Sequence, residues 1–292
     1  MDLRRLEHFL AVADHQGFTA AARVVGVSQP ALSLSVKELE TEVATALFHR
    51  LGRRVVLTPA GDALVGPARQ ALRDVATGRS AVAAVAGLKG GSLAIASLPT
   101  LAADPVAPLV GRFRREHPAV AVDLAAPEDS ADLAAMVRDG RRELGITEDD
   151  GSALDLVVHG IGLQQLWLIA PPGTVPPGSG RWSGALADLA DLPFVAAPAG
   201  TSSRRLLEAG FPTGSGPNVA VVSAQRDALV PLVLSGAGAA LVPEGTAKVA
   251  RGQGALVVRP DPPVTRSIVL VHPRGTLAPA AARFVGLARD IA

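Results

Sequence analysis

The stretch Gly17-Phe18-Thr19-Ala20-Ala21-Ala22-Arg23-Val24-Val25-Gly26-Val27-Ser28-Gln29-Pro30-Ala31-Leu32-Ser33 decides the reading of this chain. Three successive alanines let a short helix lie close to its neighbours. Gly26 supplies the turn, because it takes positive φ without a Cβ penalty. Ser28 is suited to cap a following helix, and Pro30 falls in its first turn, where no amide donor is needed. The spacing predicts two short helices joined by a tight turn. In a helix–turn–helix the second helix presents polar side chains from its N-terminal end to base edges. Gln29 can bond adenine bidentately, and Ser28 and Ser33 can reach bases or phosphates. An ordinary three-helix core with Ser28-Gln29 as a solvent-facing cap fits this fragment equally well.

Working outward, Leu6, Phe9, Leu10 and Ala13 form one apolar stripe on a preceding helix, and Leu32, Val36, Leu39 and Val43 another on the helix after Ser28. Residues Leu51–Leu57 read as a hairpin around Gly52, with Arg50, Arg53 and Arg54 beside its turn. Arginines on such a wing suit phosphates or a narrow minor groove. Thr58-Pro59 then opens a long helix with Thr58 as N-cap. Leu64, Ala68, Ala71, Val75, Gly78, Val82 and Val85 alternate by four and three, a seam for pairing chains or, alternatively, for packing as a surface helix on its own domain; the length and the lack of a nearby core favour pairing.

The whole chain has 292 residues, enough for about two domains. It is 48% hydrophobic and 19% charged, so it can bury a substantial core. A net charge of +1 excludes a uniformly basic nucleic-acid-coating protein but not a local DNA-reading surface. Within Met1–Leu57, seven Arg and Lys stand against six Asp and Glu, with Glu38, Glu40 and Glu42 towards the far end of the third helix. With no cysteine, disulfides, thiolate metal sites and Cys nucleophiles are excluded. The apolar runs are too short for a bilayer and no export signal is visible, so a cytoplasmic protein without a membrane partner is expected.

After Leu88-Lys89-Gly90-Gly91 strands and helices alternate, which predicts parallel sheets flanked by helices. One series runs Leu93–Ala96, Pro105–Glu116, Val120–Leu124, Ser130–Asp139 and Leu144–Thr147. A second runs Gln165–Ala170, Pro193–Ala196, Ser202–Ala209, Val219–Val222, Ala224–Ser235 and Ala239–Val242, with a return through Ser267–Val271 and Pro279–Ile291. Crossings near Leu156–Leu163 and Pro262–Ser267 would make two lobes around a cleft.

Met1–Leu57 resembles the DNA-binding domain of LysR-type transcriptional regulators. The ordered pattern is Leu6–Phe9, Val12-Ala13, Gly17-Phe18-Thr19 with Ala21-Ala22, Ser28–Ser33, Leu39-Glu40, Leu47-Phe48, Arg50, Arg53, Leu57-Thr58 and Gly61. Gly91–Ala292 is similar to the family's effector-binding part through looser motifs: Phe113 with His117-Pro118, Gly140, and Gly236-Ala237-Gly238 through Leu241-Val242-Pro243. The resemblance implies an N-terminal all-α winged helix-turn-helix with a linker helix, and a C-terminal α/β two-lobed domain with the fold of a periplasmic binding protein. It implies three regions: 1–57 for DNA, 58–90 for linkage and dimerisation, and 91–292 for the effector. Lobe I would comprise about 91–160 and 267–292, and lobe II about 161–266.

Such a protein binds double-stranded promoter DNA as a homodimer or homotetramer and responds to a small-molecule effector, without catalysis, metal or cofactor. Thr19, Ser28, Gln29, Pro30, Ser33, Arg50, Arg53 and Arg54 would then contact DNA. By matching position, Thr100, Ser130, Thr147, Thr201 and Ser202 would line the effector cleft, where hydroxyls and amides at helix N-termini favour anions; helix capping explains each of them too. The sequence departs from the family at Glu143, Glu148 and Gln164-Gln165. With Glu128 and Asp129 near, an aromatic carboxylate would need Arg204 or Arg205 for its charge.

Two other readings compete. A two-lobed α/β unit suits an enzyme, yet there is no Gly-x-Ser-x-Gly elbow, Walker loop or Gly-x-Gly-x-x-Gly turn, and no zinc spacing among the six histidines. His117 and His272, each before a proline, read as loop residues, and Trp167 and Trp182 as packing or loop anchors. A solute- or ligand-binding module whose helical N-terminus only oligomerises is the second alternative.

Overall fold

The computed structural model describes residues 1–51, 54–85, 91–153, 155–174, 184–189, 191–212 and 214–290, with the backbone alone at 50, 51, 54, 79–81 and 83–85. Three helices open the chain: α1 (Leu3–His15), α2 (Phe18–Val25) and α3 (Gln29–Glu42). Asp2 caps α1, accepting from the Arg4 amide at 3.2 Å. Gly26 ends α2 at φ 70°, and its amide donates to the Ala22 carbonyl. That left-handed corner turns the chain so that α3 leaves at once, which is where glycine is needed. An antiparallel hairpin follows, β1 (Phe48–Leu51) and β2 (Arg54–Leu57), with Phe48 opposite Leu57.

Phe9, Leu32 and Leu39 are fully buried between these elements. Phe48 carries the hairpin into that core, its ring 5.4 Å from Phe9 and 6.0 Å from Phe18. Aromatic pairs of this kind contribute about 0.5–1.5 kcal/mol beyond their burial.

The long helix α4 spans Pro59–Val85. Thr58 docks its start: its amide donates to Leu47 O at 2.9 Å, its hydroxyl donates to Ala46 O at 2.8 Å, and the hydroxyl accepts from the Gly61 amide at 3.0 Å. The expected chain-pairing seam divides here. Ala68 is buried in the N-terminal core, and Leu64, Val65, Ala71 and Leu72 pack around it. The reason is α1, whose apolar stripe lies beside the first half of α4 and supplies a nearby core that periodicity alone did not disclose. Further along, Val82 is 70% exposed.

Beyond residues 86–90, which lie outside the described residues together with most of the expected boundary, β3 (Gly91–Ser97) pairs in parallel with β4 (Val120–Ala125) and β5 (Leu144–Glu148). Helices α5 (Ala107–Glu116) and α6 (Ser130–Arg138) connect them, and α10 (Pro279–Arg289) covers the same core. Phe113 of α5 meets Phe284 of α10 edge-on at 5.5 Å.

The expectation of parallel sheets is corrected at the centre. Two long strands, β6 (Val157–Ala170) and β11 (Val264–His272), run antiparallel from one lobe into the other, and β11 is antiparallel to β5 as well. The register between them shifts at Ile268/Val269, where Gly162 faces Ile268 and Gly160 faces Val269, leaving Ile161 as the extra residue. What the sequence suggested as two crossings is therefore the spine of one mixed sheet.

The second lobe holds a two-stranded parallel unit, β7 (Pro193–Ala196) with β8 (Asn218–Val222). It also holds β9 (Ala240–Pro243) and β10 (Leu256–Val258), both antiparallel to β6. Helices α7 (Ser202–Glu208), α8 (Leu229–Leu234) and α9 (Glu244–Gly252) pack around them. The expected helix Ala224–Ser235 is only a tight turn at Arg226–Ala228 followed by α8. Among the described residues no helix is long and apolar enough to cross a membrane.

Candidate DNA-reading helix and ligand cleft

Polar groups gather where α3 begins. Thr19, Ser28, Gln29 and Pro30 are exposed, and Ser33 is half-buried one turn further on. Ser28 accepts from the Ala31 amide at 3.3 Å, so it caps the helix while Gln29 stays on the surface. Glu40 on the same helix accepts from the amides of Leu47 at 2.8 Å and Phe48 at 3.3 Å. That carboxylate fixes the hairpin relative to α3, so helix and wing form one rigid unit. Glu38 and Glu42 pair with Arg5 at 3.0 and 3.1 Å, which neutralises acidic charge at the far end of α3. Of the expected wing cations, Arg50 and Arg54 lie in β1 and β2, and Arg53 lies outside the described residues.

Between the lobes lies a cavity of about 280 Å³. Its walls are mostly apolar: Pro99, Ala102 and Ala103 after β3 face Val195–Ala197, Leu207, Val230 and Leu241 of the other lobe. Thr100, Ser203, Arg226, Asp227 and Thr246 add polar groups. Of the five hydroxyl residues expected in the cleft, only Thr100 is on this wall. Ser130 and Thr147 are buried nearby in sequence order at α6 and β5, and Thr201 donates to Pro198 O at 2.8 Å in the cap position of α7.

Ser202 belongs to a buried network centred on Arg266. The Arg266 guanidinium donates to Ser202 Oγ at 2.7 Å, to Thr100 Oγ1 at 2.5 Å and to Gln164 Oε1 at 2.6 and 3.0 Å. Its Nη1 lies 3.7 Å from Glu148, to which the Ser202 hydroxyl also donates. Gln164 passes the chain of bonds on, its amide donating to Asp104 O at 2.9 Å and Thr100 O at 3.4 Å.

Arg266 is 5% exposed. Burial, foremost, pushes its pKa down to about 10; the charge and hydrogen bond of Glu148 oppose this, and the like charge of Arg226 adds to the lowering. Asp150 sits beside this network. Burial raises it, yet hydrogen bonds from the Ser152 hydroxyl and amide and the charge of Arg205 outweigh that and hold its carboxyl below the usual range.

The family description "Bacterial regulatory helix-turn-helix protein, lysR family" matches residues 3–62, and "LysR substrate binding domain" matches residues 86–292. The HTH-type transcriptional regulator IlvY of Escherichia coli (strain K12) is 31% identical over 246 residues, covering 84% of this chain and 82% of that protein. The chain belongs to the LysR family of transcriptional regulators. Another LysR-type relative, the RuBisCO operon transcriptional regulator of Allochromatium vinosum, is 31% identical over 304 residues, covering 97% of this chain and 94% of its own. A crystal structure of full-length CbnR complexed with its target DNA superposes with a TM-score of 0.56 at 25% identity, covering 100% of this chain and 99% of that one. Membership in the LysR family sets aside both the enzyme reading and that of a solute-binding module.

Against the LysR pattern, the departures at Glu148 and Gln164 now have physical partners, since both serve Arg266. Glu143, another departure, accepts from the Ala94 amide at 3.0 Å; burial raises its pKa, and that bond and Arg73 lower it less. The two arginines considered for an acid effector are occupied. Arg204 pairs with Glu208 at 2.6 Å, and Arg205 holds Glu148 at 2.5 Å and Asp150 at 3.1 Å. The residues that sequence reasoning missed are Arg226 and Arg266. No local motif marks them; the only signal, for Arg266 alone, is an arginine just before the apolar run Ile268–Val271.

His272 is not a loop residue but the end of β11, where its ring stacks on His159 of β6 with Nε2 atoms 3.1 Å apart. Burial, then the charges of His272 and Arg289, lower the His159 pKa. A base with a lowered folded pKa stabilises the fold least when protonated, so His159 weakens the protein as pH falls below about 6.5. In His272→Gln, proton NMR should show His159 titrating at higher pH than in the parent chain. An unmoved titration would remove His272 as a cause.

Proposed function

We propose that residues 1–57 read double-stranded promoter DNA, that residues 58–90 link chains into a homodimer or homotetramer, and that residues 91–292 hold a small-molecule effector between two lobes, about 91–160 with 267–292 and about 161–266. The protein works in the cytoplasm, without metal or cofactor. Ser28, Gln29, Pro30 and Ser33 select bases in the major groove, Thr19 supports them from α2, and Arg50, Arg53 and Arg54 contribute phosphate or minor-groove affinity. The observation that carries this reading is the exposed polar cluster at the start of α3, rigidly joined to the hairpin through Glu40. CbnR, a family member, has been crystallised with its target DNA, which supports the same use of the domain here.

The test is binding to the upstream DNA of the chain's own locus at several salt concentrations. Arg53→Ala with Arg54→Ala is expected to weaken specific and non-specific binding alike and to flatten the plot of log K against log salt by about two per chain. Gln29→Ala is expected to lose about 1–3 kcal/mol at one base pair of each half-site and to leave the salt slope unchanged. Binding that is indifferent to all three substitutions removes helix and wing from the mechanism.

For the effector, the supporting observation is the 280 Å³ cavity with Thr100 on its wall and the Arg266 network behind it. Chain pairing rests on the part of α4 that leaves the N-terminal core, where Val82 stands exposed.

A further inference from the structure

At about 280 Å³ the cavity lies at the small end of ligand sites, which favours a compact organic molecule. Its wall is mostly apolar, with polar groups from Thr100, Ser203, Arg226, Asp227 and Thr246. Arg226 Nη2 donates to Glu128 at 3.0 Å, but Nε and Nη1 are buried without a hydrogen-bond partner among the described residues, as is Ser203 Oγ. Buried guanidinium nitrogens are rarely left without an acceptor, so this arrangement is incomplete. Among the described residues the other arginines about the cleft are committed: Arg266 to Gln164, Ser202 and Thr100, Arg205 to two carboxylates, and Arg204 to Glu208.

The opposing acid, Glu128, reaches across from the other lobe and is 54% exposed, so it neutralises one edge of the guanidinium at the mouth. Asp227 is the acidic residue on the wall itself, and it is exposed. The buried, unpartnered Nε and Nη1 of Arg226 therefore offer donors and positive charge to a mostly apolar, partly closed space. In such a setting a charge-assisted bond to a carboxylate is stronger and shorter than a neutral one.

Resting on the reading of this cavity as the effector site, we propose that its ligand is a small organic monocarboxylate. Its carboxyl group is held by the Arg226 guanidinium and the Ser203 hydroxyl, and its compact apolar body lies against Val195, Val230 and Leu241. Arg226 is then shared between the ligand and Glu128. Because those two acids approach from different lobes, occupancy is sensed at the cleft mouth.

The experiment is isothermal titration of the full-length chain with straight, branched and aromatic carboxylates of four to eight carbons, each beside its primary amide. At least one acid is expected to bind with millimolar affinity or better, and its amide at least tenfold more weakly. Arg226→Gln should erase that preference, Ser203→Ala should weaken the acid several-fold, and Glu128→Gln should retain the acid and tighten it. Circular dichroism melts of each variant keep misfolding apart from lost binding, and Ser203→Ala removes a single oxygen. Equal binding of acid and amide, unaltered acid binding in Arg226→Gln, or no binding by any acid overturns the proposal. Operator footprints run in parallel distinguish the two levels. A neutral ligand that occupies the cavity and moves the footprint leaves the effector site standing and removes only the carboxylate. An acid that binds through Arg226 without any change at the operator does the reverse.

Discussion

Arg266→Met is expected to destabilise the C-terminal domain by about 3–5 kcal/mol, the usual result of stripping one partner from a buried ion pair. In a domain of this size that corresponds to a fall in melting temperature on the order of 10 °C. The cause is specific. Arg266 supplies the donors that satisfy Gln164 Oε1, Thr100 Oγ1 and Ser202 Oγ, and it lies 3.7 Å from the buried Glu148 carboxylate. Met fills the space of the stem and returns none of these. Arg266→Lys is expected to recover only a part, because an ammonium cannot reach so many acceptors at once in the geometry of a planar fork. Adding Glu148→Gln to Arg266→Met should restore some stability by removing the orphaned charge. Scanning calorimetry on the full chain reads all three. A melting temperature for Arg266→Met within a degree or two of the parent would mean that the network contributes nothing net.

The second large effect is expected from the smallest change, Gly61→Ala. A Cβ on Gly61 would lie 2.1 Å from the Leu47 carbonyl oxygen and 2.9 Å from the Leu57 side chain. The first obstacle is backbone, and it is backbone already held in place: the same Leu47 carbonyl accepts from the Thr58 amide, and the Leu47 amide donates to Glu40. Room can be made only by pushing the start of α4 away from the hairpin. Overpacking of that kind costs about 1–3 kcal/mol, and more where nothing yields. The domain concerned is about sixty residues, so little stability is in reserve. Promoter binding is therefore expected to fall at least tenfold, with a matching loss of the N-terminal melting transition. Wild-type affinity in Gly61→Ala would mean that the hairpin is not needed in its present place.

Much of the N-terminal fold was legible because its determinants are local. Ser28, Pro30 and Gly26 each act within a turn of their own position, and the apolar stripes on α1 and α3 repeat at the helical period. The α4 seam was readable two ways for a complementary reason. Leu64, Ala68 and Ala71 carry the right spacing for either use, and whether they face α1 or another chain depends on a tertiary neighbour. In the C-terminal domain, Val157–Ala170 contains Gly160, Gly162 and Gln164-Gln165, which break its apolar alternation, so only the last third looked like strand. Glu244–Gly252 holds two glycines and few apolar residues, and neither α9 nor the short β10 was expected.

The cleft was least legible of all. Gln164 and Arg266 are 102 positions apart, yet they are direct cross-strand partners in an antiparallel register. No spacing rule connects them. Thr100, Ser202 and Arg266 come together only through that pairing. Of the hydroxyls that family position suggested, Thr100 reaches the cavity wall and Ser202 the buried support behind it.

The paired strands β6 and β11 run unbroken through both lobes, interrupted once by the extra residue Ile161. Two strands bonded along their length resist being pulled apart or slid, but between the stretch flanked by β5 and the stretch flanked by β9 and β10 the ribbon is only two strands wide and twists more readily. The lobes thus behave as two paddles on a torsion bar. Whatever settles between them is felt as a change of angle about that bar, and no hydrogen bond of the ladder has to break for the angle to change.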